Sequence, residues 1–329
     1  MYCKYFGFRE KPFNITPNPR FLYLSKNHKE AFAHLLYGIS NHSGFIELTG
    51  EVGTGKTTVL RTLLGQLDEA SHRTALILNP CLSALELLRN INREFGIPYE
   101  TLENGALLEE LNRFLLAENR AGHTVVLVID EAQNLAPQVL EQIRLISNLE
   151  TESDKLIQIL LSGQPELKQL LARVELRQLA QRITVRYHLD SLDYEDTTEY
   201  IKHRLHVAGG GAWINFSGAA LKLIYKFSGG SPRLINIACD RALLTAYAEE
   251  SSVISGAIAK TAIDELIGKR PFAATVRQIL LPLLCGTVLM TMLFGIYRLL
   301  PKKGENSAPP PQVQEQPAKA KTTGKGAKI

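Results

Sequence analysis

The chain has 329 residues, 45% of them hydrophobic and 21% charged, which is typical of a globular protein long enough for two or three domains. Residues 271–329 carry eight Lys or Arg and two Glu, so the net charge of +4 leaves residues 1–270 close to neutral, which argues against a protein that coats nucleic acid. The four cysteines show neither zinc-site nor paired spacing, which argues against a disulfide framework or a structural zinc and fits a reducing cytosol.

An aromatic and proline-rich segment, residues 1–25, opens the chain, and we call it the lead-in. Hydrophobic runs and turn signals after it predict strands that alternate with helices. The strands are predicted at 45–49, 75–78, 125–129, 156–161 and 183–187. The helices are predicted at 26–41, 56–67, 83–95, 106–119, 137–149, 166–172 and 175–180. This alternation predicts an α/β fold with a doubly wound parallel sheet of five strands.

Strand signals stop near residue 193, and the remaining periodicity is helical. Helices are predicted at 193–207, 218–227, 232–247 and 254–267. We therefore expect a small all-helical domain with its boundary near residues 189–193.

The segment between the first predicted strand and the next helix matches the phosphate-binding pattern G-x-x-x-x-G-K-[ST]. Its glycines allow backbone N–H groups to curl around an anion, and the following helix directs its positive N-terminal end at the same place. In this pattern Lys56 reaches the β- and γ-phosphates of ATP and Thr57 binds Mg²⁺. The predicted nucleotide-binding residues are Gly50, Glu51, Val52, Gly53, Thr54, Gly55, Lys56, Thr57 and Thr58.

Two carboxylates, Asp130 and Glu131, follow the third predicted strand, about 75 residues after this P-loop. Ligands of open α/β sheets bind at the carboxyl ends of the strands. We predict that Asp130 holds Mg²⁺, directly or through water, and that Glu131 polarises the attacking water. A polar residue after the fourth strand is expected to sense the γ-phosphate, and Gln164 is preferred over the alternative, Ser162.

Three arginines are candidates for further contacts with the phosphates. Arg182, just before the fifth strand, is predicted to be an arginine finger that reaches into a neighbouring subunit's site, with Arg177 as the alternative. Arg233 stands in Gly-Gly-Ser-Pro-Arg at the start of a helix and is predicted to lie over the bound nucleotide and report its state to the helical domain. If Arg182 acts in trans, the site is complete only in an oligomer.

Seven ordered blocks carry a resemblance to a known family: residues 5–13, 16–23, 34–39, 50–57, 130–135, 163–167 and 230–236. Over about residues 1–268 the chain resembles the AAA+ ATPases of the general secretion pathway protein A (ExeA-type) family, and the similar ATPases of pilus-biogenesis and exopolysaccharide or exosortase loci. The resemblance implies an AAA+ nucleotide-binding domain at 1–190, a helical lid at 191–270, and a homo-oligomer, expected to be a hexameric ring. It also implies inner-membrane or envelope export partners.

Four aromatic residues and one proline of the lead-in have two possible positions. Phe8, Pro12, Phe13, Phe21 and Tyr23 are expected either to pack over the first strand and cover the adenine or to form a strap on the core.

An uncharged, mostly apolar run of 19 residues covers 279–297, close to the roughly 20 residues that a helix needs to cross a bilayer. We predict one transmembrane helix at 278–298 and a disordered Pro- and Lys-rich tail at 299–329. Basic residues flank the run on both sides and do not orient it, but an ATPase must face the compartment that holds ATP. This requirement predicts a bacterial inner-membrane protein with its ATPase in the cytoplasm and its tail in the periplasm.

Three functions fit these features. The first is an AAA+ ATPase that drives or regulates assembly of an envelope export system, of the general secretion, type IV pilus-like or polysaccharide/exosortase-associated kind. The second is a DNA-dependent ATPase resembling the target-selection ATPases of transposition, against which the near-neutral body and the apolar run both argue. The third is a nucleotide-gated scaffold with poor hydrolysis, against which Glu131 argues.

Overall fold

The computed structural model describes residues 1–16, 18–78, 81–100, 103–151, 154–209 and 214–269, together with Met290 and Met292. A sheet of five parallel strands lies at its centre, as predicted. The strands are β1 (Phe45–Gly50), β2 (His72–Ile77), β3 (Thr124–Ile129), β4 (Ile157–Gly163) and β5 (Ile183–Leu189). Their order in the sheet is β2-β3-β4-β1-β5, so the carboxyl ends of β1, β3 and β4 meet at one edge.

The described residues include helices on both faces of the sheet and beyond it. They are α1 (Tyr2–Tyr5), α2 (Lys26–Ser40), α3 (Lys56–Gln66), α4 (Ala84–Glu94), α5 (Asn104–Arg120), α6 (Pro137–Ile146), α7 (Glu166–Leu171), α8 (Arg177–Arg182), α9 (Tyr194–Val207), α10 (Gly218–Ser228), α11 (Pro232–Ala248) and α12 (Gly256–Leu266). The start of α4 shows the expected capping box: Ser83 and Glu86 each accept the other's backbone N–H, which satisfies two N–H groups that the helix leaves free.

Strand β3 shows why these strands read as continuous apolar runs. Val125, Leu127 and Ile129 pack against helices α4 to α6, whereas Val126 and Val128 pack against α2 and α3. Both faces of the strand are therefore buried, and no polar alternation remains in the sequence. Helices therefore cover both faces of the sheet, and the candidate site lies at its carboxyl edge.

Helices α9 to α12 form the predicted helical region, with one difference. A two-residue strand β6 (Asn215–Phe216) pairs in parallel with β7 (Val253–Ile254), so the expectation that strands stop at residue 193 is wrong. Strands of two residues are too short to produce a period-2 pattern that distinguishes them from the ends of the neighbouring helices.

The lead-in packs into the hydrophobic cluster of this helical region. Phe6, Phe8, Phe13 and Phe21 are buried there together with residues of α9 to α12. Buried Arg204 of α9 fixes the segment, because its Nε donates to the carbonyl oxygen of Pro12 at 2.6 Å and its Nη2 to that of Asn14 at 3.2 Å.

The interpretation that these aromatic residues pack over the first strand is therefore wrong. Their hydrophobic partners come from sequence more than 170 residues away, beyond the reach of local pattern reasoning.

The predicted transmembrane helix at 278–298, except for Met290 and Met292, and the predicted tail at 299–329 lie outside the described residues. Within the part of the chain that the structure describes, no helix is long and apolar enough to span a membrane.

Candidate nucleotide-binding site

The P-loop connects β1 to α3 and needs its glycines for their backbone conformation. Gly53 and Gly55 have φ angles of 82° and 105°, in the region that side chains with a Cβ rarely adopt. Gly55 is also the N-cap of α3, so the loop ends where the free N–H groups of that helix begin. A glycine-containing loop that leads into the free N–H groups at the start of a helix is an arrangement that binds phosphate.

Lys56 lies inside this loop and is almost completely buried. Its Nζ donates to the carbonyl oxygens of Gly50 at 2.8 Å and Glu51 at 3.0 Å. Burial lowers the pKa of its ammonium group, while the nearby carboxylates of Glu131 and Asp130 act in the opposite direction. Two carbonyl oxygens offset only part of the cost of burying the positive charge of Lys56. A negatively charged group bound in the loop would supply the opposite charge.

Asp130 lies at the end of β3 and is held from three sides. Thr57 Oγ1 donates to its Oδ2 at 2.6 Å, Ser162 Oγ donates to its Oδ1 at 2.8 Å, and the N–H of Glu131 also donates to Oδ1 at 3.0 Å. The two residues predicted to bind Mg²⁺, Thr57 and Asp130, are therefore in direct contact. Hydroxyl and carboxylate oxygens are the ligands that Mg²⁺ prefers.

Glu131 has an unusual backbone conformation, with φ of 54°. Such left-handed backbone costs a non-glycine residue about 1–2 kcal/mol and is often retained at functional sites. Its Oε2 accepts hydrogen bonds from Gln133 Nε2 at 2.6 Å and from Gln164 Nε2 at 3.1 Å. These two amides hold one oxygen of the carboxylate in a fixed position.

The structure thus separates the two candidates for the γ-phosphate sensor. Ser162 is bonded to Asp130, and Gln164 is bonded to Glu131. Sequence reasoning missed Gln133, which also accepts the N–H of Gln164 through its Oε1 at 3.0 Å. The one signal for it was its place in the Asp130–Leu135 block, where it was given no role.

The helical region meets the P-loop at Gly53. A Cβ at Gly53 would lie 2.8 Å from both Arg233 Cβ and Ser231 Oγ, and Ser231 Oγ donates to the carbonyl oxygen of Val52 at 3.5 Å. Gly230 lies so close to the carbonyl oxygen of Leu192 that any side chain there would clash. The Ser-Pro-Arg segment is therefore held against the P-loop, and Arg233 lines the same cavity as Lys56 and Glu131.

That cavity has a volume of about 530 Å³, which suits a nucleotide. One end is formed by the P-loop and Glu131, and we call it the phosphate end. The other end, which we call the base end, is lined by side chains of the lead-in, α9 and α11: Ile15, Phe21, Tyr23, Tyr200, Arg204 and Asn236. Sequence reasoning missed Tyr200 and Arg204, which carry no motif, and Asn236, which ends the 230–236 block but was given no role.

The two candidate arginine fingers differ in their surroundings. Arg182 is half-buried and donates to Ser147 Oγ at 3.0 Å, close to the amino end of β5. Arg177, at the start of α8, is exposed. Neither lines the cavity of its own chain, so the cavity does not choose between them.

The fold and this cavity define the class of the protein: a P-loop nucleotide-binding protein with the five-stranded sheet and helical region of AAA+ proteins. A sequence model described as an AAA domain matches residues 39–171. General secretion pathway protein A of Aeromonas hydrophila is 51% identical over 266 residues. The chain belongs to the AAA+ family of general secretion pathway protein A, which confirms the resemblance seen in the sequence. The aligned region covers 80% of this chain but only 48% of that relative.

Solved structures with the same fold include two archaeal proteins, ORC2 and Cdc6p. The ORC2 protein of Aeropyrum pernix, in its ADPNP-ADP complexes, matches with a TM-score of 0.59 and 21% identity, covering 78% of this chain and 72% of that one. Cdc6p of Pyrobaculum aerophilum matches with a TM-score of 0.58 and 21% identity, covering 73% and 68%. At these identities the similarity establishes the fold alone.

Proposed function

We propose that the chain binds ATP with Mg²⁺ and hydrolyses it, with Glu131 activating the attacking water. One observation carries this proposal: Asp130, bonded to Thr57 of the P-loop, stands next to a second carboxylate that two amides hold in place. One carboxylate is positioned for a metal ion and the other for water. A protein that only stored a nucleotide would not need the second carboxylate.

The residues at this edge fit Mg²⁺. Thr57 Oγ1 and Asp130 Oδ2 lie side by side at 2.6 Å, and both belong to the class of oxygen ligand that this ion takes. When bound, the ion neutralises the charge that develops on the β- and γ-phosphates. Ser162 holds the other oxygen of Asp130 and so keeps Oδ2 facing Thr57.

Lys56 and Glu131 perform the remaining chemistry. Phosphate oxygens are stronger acceptors than the loop carbonyls that Lys56 Nζ contacts, so the ammonium turns to the nucleotide when it binds. The amides of Gln133 and Gln164 occupy Glu131 Oε2 and leave Oε1 to accept a hydrogen from water. Gln164 is also the preferred γ-phosphate sensor, with Ser162 as the alternative.

Arg233 and one arginine from a second copy complete the proposed site. Arg233 lies on the helix that begins beside Gly53, so movement of the P-loop transmits to the helical region, residues 191–270. For the trans arginine we keep Arg182, with Arg177 as the alternative. The protein is then a homo-oligomer, and a hexameric ring is the expected form.

We further propose that ATP hydrolysis drives or regulates assembly of an envelope export system. The supporting observation is the 51% identity to general secretion pathway protein A, of which this chain matches about half. Residues 279–297 would anchor the ATPase to the cytoplasmic side of the bacterial inner membrane, with residues 299–329 in the periplasm. Envelope components would then be the partners.

ATP turnover by the purified full chain in detergent, titrated over protein concentration with and without duplex DNA, tests the proposal. Turnover per chain that rises with concentration and ignores DNA supports a self-assembling export ATPase. Strong stimulation by DNA, reversed by salt, would instead favour the DNA-dependent alternative. No turnover at any concentration, despite ATP binding, would favour a scaffold.

Arg182→Ala and Arg177→Ala distinguish the two candidates for the trans arginine. Each variant is mixed with Glu131→Gln, which keeps its arginines but lacks the proposed base. Recovery of turnover in one mixture identifies the arginine that acts on a neighbouring subunit. Recovery in neither mixture would contradict a shared site.

A further inference from the structure

His28, in the first turn of α2, is a buried imidazole that no motif singles out, and both of its ring nitrogens are engaged. Only 4% of the residue is exposed. Its Nδ1 lies 2.7 Å from Ser25 Oγ, and its Nε2 lies 2.9 Å from the carbonyl oxygen of Thr54 in the P-loop. A carbonyl can only accept, so Nε2 carries the hydrogen and Nδ1 accepts from the Ser25 hydroxyl.

The contact with Thr54 determines how one peptide of the P-loop is oriented. A trans peptide is planar, and its C=O and N–H point in opposite directions. With the Thr54 carbonyl held by His28, the N–H of Gly55 in the same peptide is directed away from the imidazole. The P-loop binds phosphate through such N–H groups, and a peptide flipped by half a turn would present a carbonyl oxygen to the anion.

Gly55 is required for this contact as well as for the turn. A Cβ at Gly55 would lie 2.8 Å from His28 Nε2, which is closer than real side chains approach. The φ of 105° at Gly55 is also one that side chains rarely adopt. Gly55, the last glycine of the P-loop, thus accommodates an imidazole on one side while its N–H is directed to the other.

We propose that His28 is a positioning residue for ATP binding: its Nε2–H fixes the Thr54–Gly55 peptide so that the Gly55 N–H is presented to the nucleotide phosphates. This inference rests on the proposed ATP binding. Ser25 is the N-cap of α2, where the lead-in ends, and its hydroxyl supports the tautomer that the Thr54 carbonyl requires by donating to Nδ1 of His28. The phosphate end is thereby tied to the lead-in, which Arg204 ties to the helical region.

Three substitutions of the full chain separate a hydrogen-bonding role from a packing role. In His28→Gln the side-chain N–H reaches the position of Nε2, whereas in His28→Asn it reaches only the position of Nδ1. Ser25→Ala removes the hydroxyl that donates to Nδ1 and keeps the ring. Affinity is measured by titration with a fluorescent, non-hydrolysable ATP analogue, and each thermal unfolding midpoint is recorded without nucleotide.

The expected result is that His28→Asn weakens binding of the analogue by about 10-fold or more, because a buried carbonyl loses its donor. His28→Gln restores binding to within a few-fold of the unsubstituted chain, and Ser25→Ala gives an intermediate loss. His34→Asn, at an exposed histidine of the same helix, is the matched control and leaves the affinity unchanged.

Equal affinities for His28→Asn and the unsubstituted chain, or equal losses in His28→Asn and His28→Gln, would overturn the inference while leaving ATP binding intact. If His28→Asn does not fold, the comparison of His28→Gln with Ser25→Ala decides: Ser25→Ala must bind more weakly. Absence of binding by the unsubstituted chain would instead contradict the proposed function itself.

Discussion

The two ends of the nucleotide cavity are built in different ways. At the phosphate end, Thr57, Asp130, Glu131 and Gln164 all come from the carboxyl edge of one sheet and bond to one another. At the base end, Arg204 of α9 bonds to Tyr200 and to backbone carbonyls of the lead-in 190 and 192 residues earlier. The phosphate end is therefore a hydrogen-bonded cluster of side chains at one sheet edge, an arrangement that suits a catalytic site. The base end joins separate parts of the chain, and a nucleotide between the two ends would couple them.

The largest effect is expected at the phosphate end. Lys56→Ala removes the ammonium group that we propose binds the phosphates, and we expect ATP binding to weaken by about 100-fold or more, since hydrogen bonds to charged groups are the strong ones. Titration with a fluorescent ATP analogue measures this change. Lys29→Ala, at an exposed lysine of α2, is the control and should bind normally. Similar affinities for the two variants would show that this loop does not hold the phosphates.

At the base end we expect a substitution to affect the stability of the fold more than the rate of ATP turnover. Arg204→Met removes three hydrogen bonds made by a buried guanidinium and should lower the free energy of unfolding by about 2–4 kcal/mol. Denaturant unfolding measures this, and limited proteolysis should show earlier cleavage in the lead-in.

Arg241→Met is the matched control for Arg204→Met. Arg241 lies on α11, and its ion pair with Glu265 is exposed, so its loss should cost less than about 1 kcal/mol. Equal losses for the two variants would contradict a structural role of Arg204 in fixing the lead-in.

A smaller effect is expected where one amide orients the proposed base. Gln133→Ala leaves Glu131 with one amide donor instead of two, and we expect kcat to fall by about 10-fold with little change in KM, less than the 100-fold that a 1 Å misplacement costs. Steady-state ATP turnover measures it, with exposed Gln138→Ala as the control. A change confined to KM would mean that Gln133 acts on binding.

The smallest effect concerns pH. Burial lowers the pKa of His28 below its ordinary value of 6.5, although the bond to Thr54 and the charge of Asp196 oppose this. Above pH 6.5 the imidazole is neutral in both folded and unfolded chains and contributes nothing. Below pH 6.5 the unfolded chain takes up the proton more readily, so stability falls, by at most about 1.4 kcal/mol per pH unit, until the folded pKa is reached.

His28→Gln lacks this proton and should show a shallower dependence of stability on pH below about 6.5. The thermal unfolding midpoints of the unsubstituted chain and of His28→Gln, measured across this pH range, provide the comparison. Parallel curves would show that His28 is protonated equally in the folded and unfolded states.

The same contrast between the two ends explains what sequence reasoning could reach. The P-loop and the Asp130-Glu131 pair are contiguous motifs, and their chemistry demands those residue types at those spacings. Arg204 carries no motif, and it meets its partners in the lead-in only through the tertiary fold. Gln133 lies in a recognisable block, but its role depends on which way its amide points. The β6–β7 pair was missed because two residues show no period.

Glu131→Gln provides the most direct test of the central claim, that this edge of the sheet hydrolyses ATP with Glu131 as the activating group. The substitution keeps the size of the side chain and the P-loop unchanged. We predict that the full-chain variant binds the ATP analogue as tightly as the unsubstituted chain while its turnover falls by roughly 100- to 10,000-fold. Turnover within a few-fold of the unsubstituted chain would contradict the account.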